Sequence, residues 1–372
     1  MTELNHKSLH MKIIQQLLFG LVTLFLIMPA KIMAFDEPEL EFQFAYRPMA
    51  FETLKENADK VSLVAPEPFI IDDKGIIHGE PEPRLLDLAE RHDIKVMPQV
   101  KNLDAGAGLF SQEWASALLN DPKSVERAVE SMVELCRKYD LYGIQIDLEA
   151  VHINDRDKLT EFYRKAATAL HDEGYKISIA IVHRFEETGG ANSYTRWMME
   201  NWRGSYDLKK LGEIGDFIKV MSYAQHTRRT TPGPSQGLPW LREVMEYCLQ
   251  YVPPEKLSMG ITMRGSRYYT TADPDRYHIN ARSFSESISR EDAESLIDQY
   301  NGSLNWDDTQ KVKYGYIERG GTFEWFFIDD DIRSLNAKLD LVREYEFGAV
   351  NMWIFGDEDP ELWNRIQDFS YD

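Results

Sequence analysis

The chain has 372 residues, 43% of them hydrophobic and 12% aromatic, which is enough for a large folded core and unlike a disordered chain. Its formal net charge of -20 argues against a nucleic-acid backbone or an anionic membrane surface as partner, and favours a neutral or locally read substrate. The two cysteines, Cys136 and Cys248, fall in segments of amphipathic helical period and read as buried thiols rather than a disulfide.

Residues 1–34 read as a targeting segment. His10 and Lys12 precede an apolar run from Leu17 to Ile27; Pro29, Ala30 and Ala34 follow, and then acidic Phe35-Asp36-Glu37-Pro38-Glu39. The run is shorter than the ~20 residues a spanning helix needs, so a signal peptide is expected. Ile32 stands where a cleavage site usually has a smaller residue, which leaves an uncleaved amino-terminal anchor as the alternative. Either way residues 35–372 are expected to be exported, periplasmic or secreted, with no further membrane segment and as a monomer.

Strand-like runs then recur at 42–46, 60–65, 95–100, 143–149, 176–182, 217–223, 257–263 and 348–354. Helical stretches lie between them at 81–92, 122–139, 155–173, 238–251 and 331–345, with Asp121 as a cap before Pro122 at the first helical position. Strands alternating with helices in this number predict an α/β fold, a (β/α)8 TIM barrel; a doubly wound open sheet is the runner-up on periodicity alone.

Residues 266–327 break the rhythm between the seventh strand and its helix. They hold a tyrosine-rich loop, a helix over 290–300 capped by Ser289, and a hairpin of 312–319 and 322–328 turning at Gly320-Gly321. A small α+β insertion on the loop face is predicted, forming one wall of a cleft. Its aromatics, Tyr268, Tyr269, Tyr277, Tyr314, Tyr316, Trp325 and Phe326, divide between the insertion's own core and, by alternation along 322–328, a face open to sugar stacking.

The chemistry concentrates in the fourth strand, Tyr142-Gly143-Ile144-Gln145-Ile146-Asp147-Leu148-Glu149. Side chains alternate faces along a strand, so Ile144, Ile146 and Leu148 bury on one side while Gln145, Asp147 and Glu149 line up on the other. Two carboxyl groups this close cannot ionise independently. One raises the proton affinity of the other, as a general acid working near neutral pH requires.

This pattern resembles the family 18 glycoside hydrolases, whose fourth strand carries D-x-x-D-x-D-x-E. Met221-Ser222-Tyr223 on the sixth strand is similar to the family's M-x-Y, and Trp353 ends the eighth strand where the family places a tryptophan under the sugar. Gly356-Asp357-Glu358-Asp359-Pro360 and Pro232-Gly233-Pro234 look like the bacterial branch that includes spore-cortex-lytic members. The likeness covers about 41–363. It implies a glycosidase cleaving β-1,4 links beside N-acetylglucosamine, in chitin oligosaccharides or peptidoglycan, with the substrate's acetamide as nucleophile and no cofactor. By the resemblance Glu149 is the general acid and base, Asp147 holds the acetamide N–H, Tyr223 donates to the acetamide oxygen, and Trp353 floors the cleaved-sugar subsite. Gln145 and Met221 complete the substrate-binding set, together with Tyr46 ending the first strand and Arg264 ending the seventh.

The departures are specific. Tyr142 and Gln145 replace the first two acids of the pattern, and Ala224 stands where the family usually has Asp after the tyrosine. Gln145 is expected to hydrogen-bond Asp147 without adding charge, and Glu149 to titrate lower than beside a third acid. Arg264 stands in place of an aromatic residue and is expected to meet a substrate carboxylate or to form a structural ion pair. A non-catalytic glycan-binding protein on the same barrel is the alternative reading, resting on Ala224 and Gln145, and an accessory protein of envelope polysaccharide assembly is a third. His183 and His226 follow strands five and six as candidate cleft residues. No metal-site spacing is visible, because His152 lies three residues beyond Glu149 without a partnering ligand pattern.

Overall fold

The computed structural model describes residues 40–271, 282–354, 356 and 358–369. The targeting segment at 1–34, Tyr277 and Asp357 therefore lie outside the described residues. Parallel strands run in a ring: Glu41–Tyr46, Leu63–Pro66, a third strand in two pieces, Gly143–Asp147, Lys176–Val182, Phe217–Met221, Leu257–Thr262 and Ala349–Trp353, which pairs back onto Glu41–Tyr46. This is the α/β TIM barrel, closed where the open-sheet alternative would have left two edges.

The third strand departs from the single run expected over 95–100. Lys95–Val96 pairs with Leu63 and Val64, whereas Gln99–Lys101 pairs with Gln145, Ile146 and Asp147. The break falls at Pro98, which has no N–H to give a ladder. Its carbonyl still accepts from Gln145 N at 3.0 Å, an ordinary ladder distance. The strand thus shifts from one neighbour to the other and closes the barrel.

Strand phase is locked by burial. Ile144, Ile146 and Leu148 all belong to the main hydrophobic core, and each contributes roughly 2 kcal/mol on burial. A one-residue slip would put Gln145 and Asp147 there instead. The helix Pro122–Tyr139 has the limits read from sequence: Asp121 accepts from the backbone N–H groups of Lys123 and Ser124, and Val125, Ala128, Met132, Val133 and Cys136 form its buried stripe. Cys136 and Cys248 are free and buried, and burial pushes both thiols up to about 12.

Beyond Leu257–Thr262 the chain forms a five-stranded antiparallel sheet in the order Arg282–Ile288, Gly265–Thr271, Thr322–Ile328, Val312–Arg319, Ser303–Asp307. The helix Arg290–Gln299, capped by Ser289, covers one face, where Ala293 and Ile297 pack with Ile288, Ile317, Phe326 and Ile328. On the other face of Thr322–Ile328, Trp325 meets Tyr316 and Phe327 stacks on Tyr314, with Phe323 and Tyr316 exposed.

Candidate active site

A cleft of about 550 Å³ opens at the carboxyl ends of the barrel strands. Asp147, Glu149, Met221, Tyr223 and Trp353 line it, so five of the residues singled out in the sequence converge on one space. Its walls come from Leu103, Leu109 and Phe110, from the segment Tyr194 to Arg203, and from Ala224 to Arg229. The insertion was expected to supply a wall. None of its described residues lines the cleft.

Three candidates sit elsewhere. Gln145 is two residues before Asp147, roughly 7 Å deeper along the strand, where it donates to Ser178 Oγ at 3.0 Å and accepts from Lys219 Nζ at 3.4 Å. Its described partners do not include Asp147. Tyr46 is buried and donates its hydroxyl to Glu82 at 2.6 Å. Arg264 follows the end of the seventh strand, because Met263 N turns to Trp353 O at 2.6 Å and the chain enters the insertion at Gly265. Neither Tyr46, Gln145 nor Arg264 lines the cleft.

The two acids owe their position to different devices. Asp147 ends the ladder, opposite Lys101 in register. Glu149 lies beyond it, and its backbone is held by Asn102: Glu149 N–H donates to Asn102 Oδ1 at 2.9 Å, while Asn102 Nδ2 donates to Glu149 O at 2.9 Å and to Ser111 O at 2.9 Å. Asn102 is fully buried. Asn102→Ala would strand these backbone groups, and we expect a loss of about 3 kcal/mol in urea unfolding, together with reduced activity because Glu149 is no longer fixed. Ala150, next in the chain, takes φ 54°, which turns the backbone out of the strand.

Tyr223 and Trp353 stack with ring centroids 5.3 Å apart and 19° between planes. Gly260 makes room for this pair, since a Cβ there would lie 2.4 Å from Val220 O and 3.1 Å from the Tyr223 ring. Buried Gln236 ties the neighbouring strand ends together, donating to Ser222 O and Gly260 O at 2.5 Å and accepting from Thr262 N at 3.2 Å. Asp329 in turn accepts from Gln236 N at 2.9 Å. Ala224, at the family's Asp position, has φ 61° and donates its N–H to Ser235 Oγ.

The charges of the site are where sequence reading fell short. Lys219 is buried inside the barrel and lines the cleft floor with the two acids. Its phase with Met221 and Tyr223, a lone cation in an otherwise apolar strand, was the available signal. Glu67 accepts from Lys101 Nζ at 2.9 Å and Arg47 Nε at 3.3 Å; burial raises its carboxyl, but these cations outweigh burial and hold it below the usual range. Burial raises Asp147 to about 6 against the opposing charge of Lys219. Burial, and then the charge of Asp147, raises Glu149 well above the ordinary glutamate range. Glu149 therefore holds its proton more tightly than an ordinary glutamate does. Burial, then the two acids, keeps Tyr223 a neutral hydroxyl. Asp147 Oδ1 is buried without a hydrogen-bond partner among the described residues.

His183 lines the cleft, its Nδ1 at 3.2 Å from Met221 O and its Nε2 at 2.8 Å from Arg203 Nη2. Burial and the Arg203 charge hold its pKa down to about 3, so the ring is neutral and accepts from Arg203 at Nε2. His226 bonds Thr231 O and does not line the cleft. His152 caps a short turn by accepting from Asn154 N–H. Among the described residues no group of His, Cys, Asp or Glu is arranged to hold a metal ion.

A barrel whose strand ends bring a proton-bearing glutamate, a second carboxyl and a stacked aromatic floor into one cleft defines a glycosidase. The chain belongs to the glycosyl hydrolases family 18, whose model matches residues 41–358. It is 22% identical to the uncharacterized glycosylase YvbX of Bacillus subtilis, over 86% of this chain and 87% of that protein. It is 28% identical to the cortical fragment-lytic enzyme of the same organism, over 79% of this chain but only 64% of that longer protein. In fold it is similar to a chitinase from Chromobacterium violaceum, with TM-score 0.76 and 22% identity over 88% of this chain and 98% of that one. It is also similar to the Bacillus cereus spore cortex-lytic enzyme, with TM-score 0.77 and 20% identity over 88% and 74% of the two chains.

Proposed function

We propose that this glycosidase is exported and cleaves β-1,4 links of N-acetylglucosamine-containing glycans, chitin oligosaccharides or peptidoglycan, with retention of configuration. The observation that carries the reading is the orphaned Asp147 Oδ1, a buried acceptor in the same cleft as protonated Glu149. A buried carboxylate oxygen with no partner is costly unless a ligand supplies a donor, and an acetamide N–H is such a donor.

Glu149 gives its proton to the glycosidic oxygen as the bond to the anomeric carbon breaks. The acetamide oxygen attacks that carbon from the face opposite the departing oxygen and forms an oxazolinium ring, while Asp147 accepts from the N–H and offsets the positive charge. Tyr223 donates to the acetamide oxygen before attack and orients it. Trp353 stacks on the apolar sugar face. Glu149, now a carboxylate, takes a proton from water, whose oxygen adds to the anomeric carbon and opens the ring. Both displacements occur at one carbon, so configuration is retained.

The test is NMR of fresh product from chitotetraose and from purified glycan strands. The β-anomer appearing first supports the mechanism, and the α-anomer appearing first overturns it. Binding without cleavage would instead support the glycan-receptor reading, which Ala224 at the cleft rim favours.

A further inference from the structure

The cleft runs against the charge of the whole molecule. The chain carries a net -20, yet Arg47, Lys101, Arg203, Lys219, Arg228 and Arg229 line the cleft against only Glu67, Asp147 and Glu149. Glu67 is taken up by Lys101 and Arg47, and Lys219 stands beside the two active-site acids. Arg203, Arg228 and Arg229 remain, and none of the three forms a salt bridge with a carboxylate among the described residues; Glu186 acts on Arg203 only at a distance, through its charge.

These three cations lie on two cleft walls, 194–203 and 224–229, and the contact of Arg229 with Trp197 brings the two walls together. Arg203 is held by His183, and its Nε is buried with no partner. Arg228 and Arg229 occupy the two corners of a turn closed by Thr230 N–H donating to Thr227 O at 3.0 Å, Thr227 N–H donating to Thr230 Oγ1 at 2.9 Å and Arg229 N–H donating to Thr227 Oγ1 at 3.2 Å. The loop base is pinned where Gln225 N–H donates to Ser235 O at 2.9 Å and Ser235 N–H donates to Asp329 at 3.0 Å. The Arg229 guanidinium lies over the exposed Trp197 ring, 5.8 Å from its centroid, and Tyr194 is exposed beside the cleft. Two adjacent arginines repel each other, and with no built-in counter-charge the arrangement is relieved by an incoming anion. Guanidinium groups pair with a planar carboxylate in bidentate fashion, while the aromatic rings suit a sugar face.

We propose that this part of the cleft binds a carboxylate carried by the glycan, so that the enzyme selects acidic N-acetylated glycans over neutral or partly deacetylated, cationic ones. The proposal rests on the glycan-cleaving reading above and supplies its substrate class. Lactyl ethers and peptide stems are the two sources of a carboxylate on such strands.

The experiment measures affinity, which does not depend on turnover. Calorimetry with the Glu149→Gln protein compares chitotetraose, peptide-stripped glycan strands bearing free lactyl carboxylates, and strands with peptide stems, before and after adding Arg228→Ala and Arg229→Ala together. Both arginines are exposed, so the fold does not depend on them. At least one acidic strand should bind the Glu149→Gln protein more tightly than the neutral tetramer, and the paired substitution should cut that preference about tenfold. Whichever acidic strand shows the effect identifies the source of the carboxylate. An unchanged ratio of acidic to neutral affinity overturns the proposal. Failure of the parent enzyme to cleave any of the three, with the preference intact, would sink the hydrolase reading and leave the carboxylate site standing.

Discussion

Glu149→Gln should reduce turnover on N-acetylglucosamine oligomers by about 10³- to 10⁴-fold, with KM changed little. The size follows from the two steps Glu149 serves. As an acid it protonates the leaving oxygen, and as a base it activates the water; an amide can do neither, although it fills the same space. The same substitution carries a stability signature of known sign. Burial and the charge of Asp147 raise Glu149 above its ordinary value, so the folded chain holds this proton more tightly than the unfolded one. The group's contribution to stability is complete below the ordinary glutamate range and drains away as pH rises toward the folded value. Glutamine cannot ionise, so the variant should match the parent at about pH 4 and become progressively more stable than it at neutral pH. Steady-state kinetics and urea unfolding across pH check both halves. Turnover within tenfold of the parent would remove Glu149 from the chemistry, and a variant less stable at every pH would contradict its assigned protonation.

Barrel and acid pair were legible because both depend on short-range pattern. Ile144, Ile146 and Leu148 alternate with Gln145 and Asp147, and period two alone decides which set faces the core. Asp121 with Pro122 marks a helix start by local chemistry, and Gly320-Gly321 marks the hairpin turn, with φ 61° and 79°. What the pattern does not contain is lateral: which strand's side chain meets which across the barrel. Lys219 reaches Gln145 only because the Lys176–Val182 strand lies between theirs in a fixed register. Arg264 and Tyr46 end strands as active-site residues do, yet a turn into the insertion and a bond to Glu82 take them away from the cleft. The cleft walls come from 103–110, 194–203 and 224–229, a short hairpin, a short helical segment and a loop, and local period does not tell which end of the barrel such pieces cover. Asn102 was likewise silent, since a single asparagine beside a strand carries no sign that it will clamp the backbone of Glu149, 47 residues away.

Lys219→Met should lower kcat/KM at pH 7 by about 10- to 100-fold and move the acid limb of the pH profile upward. The family's second acid is Gln145 here, and besides Ser178 it meets Lys219, at 3.4 Å. An acid in that position would push protons onto Asp147; the cation opposes burial and draws them off. Asp147 is raised to about 6 even with Lys219 opposing burial. Without that cation, only Lys101 on the neighbouring strand still opposes burial, and Glu67 adds to it, so Asp147 holds its proton through neutral pH. A protonated Asp147 cannot offset the oxazolinium charge, and because Lys219 also draws on Glu149, its loss leaves Glu149 holding its proton more tightly as well. The macroscopic values belong to the pair, so the profile shifts as a whole rather than at one limb alone. Methionine matches the lysine stem in length, and Asp147 escapes an unpaired buried charge by taking up a proton, so the fold should survive. Activity that recovers on raising the pH from 7 to 8.5 would separate lost charge from damaged packing, because misplaced side chains would not be restored by deprotonation. A profile lowered equally at all pH values would show that Lys219 serves packing and that the ionisation of Asp147 is governed elsewhere.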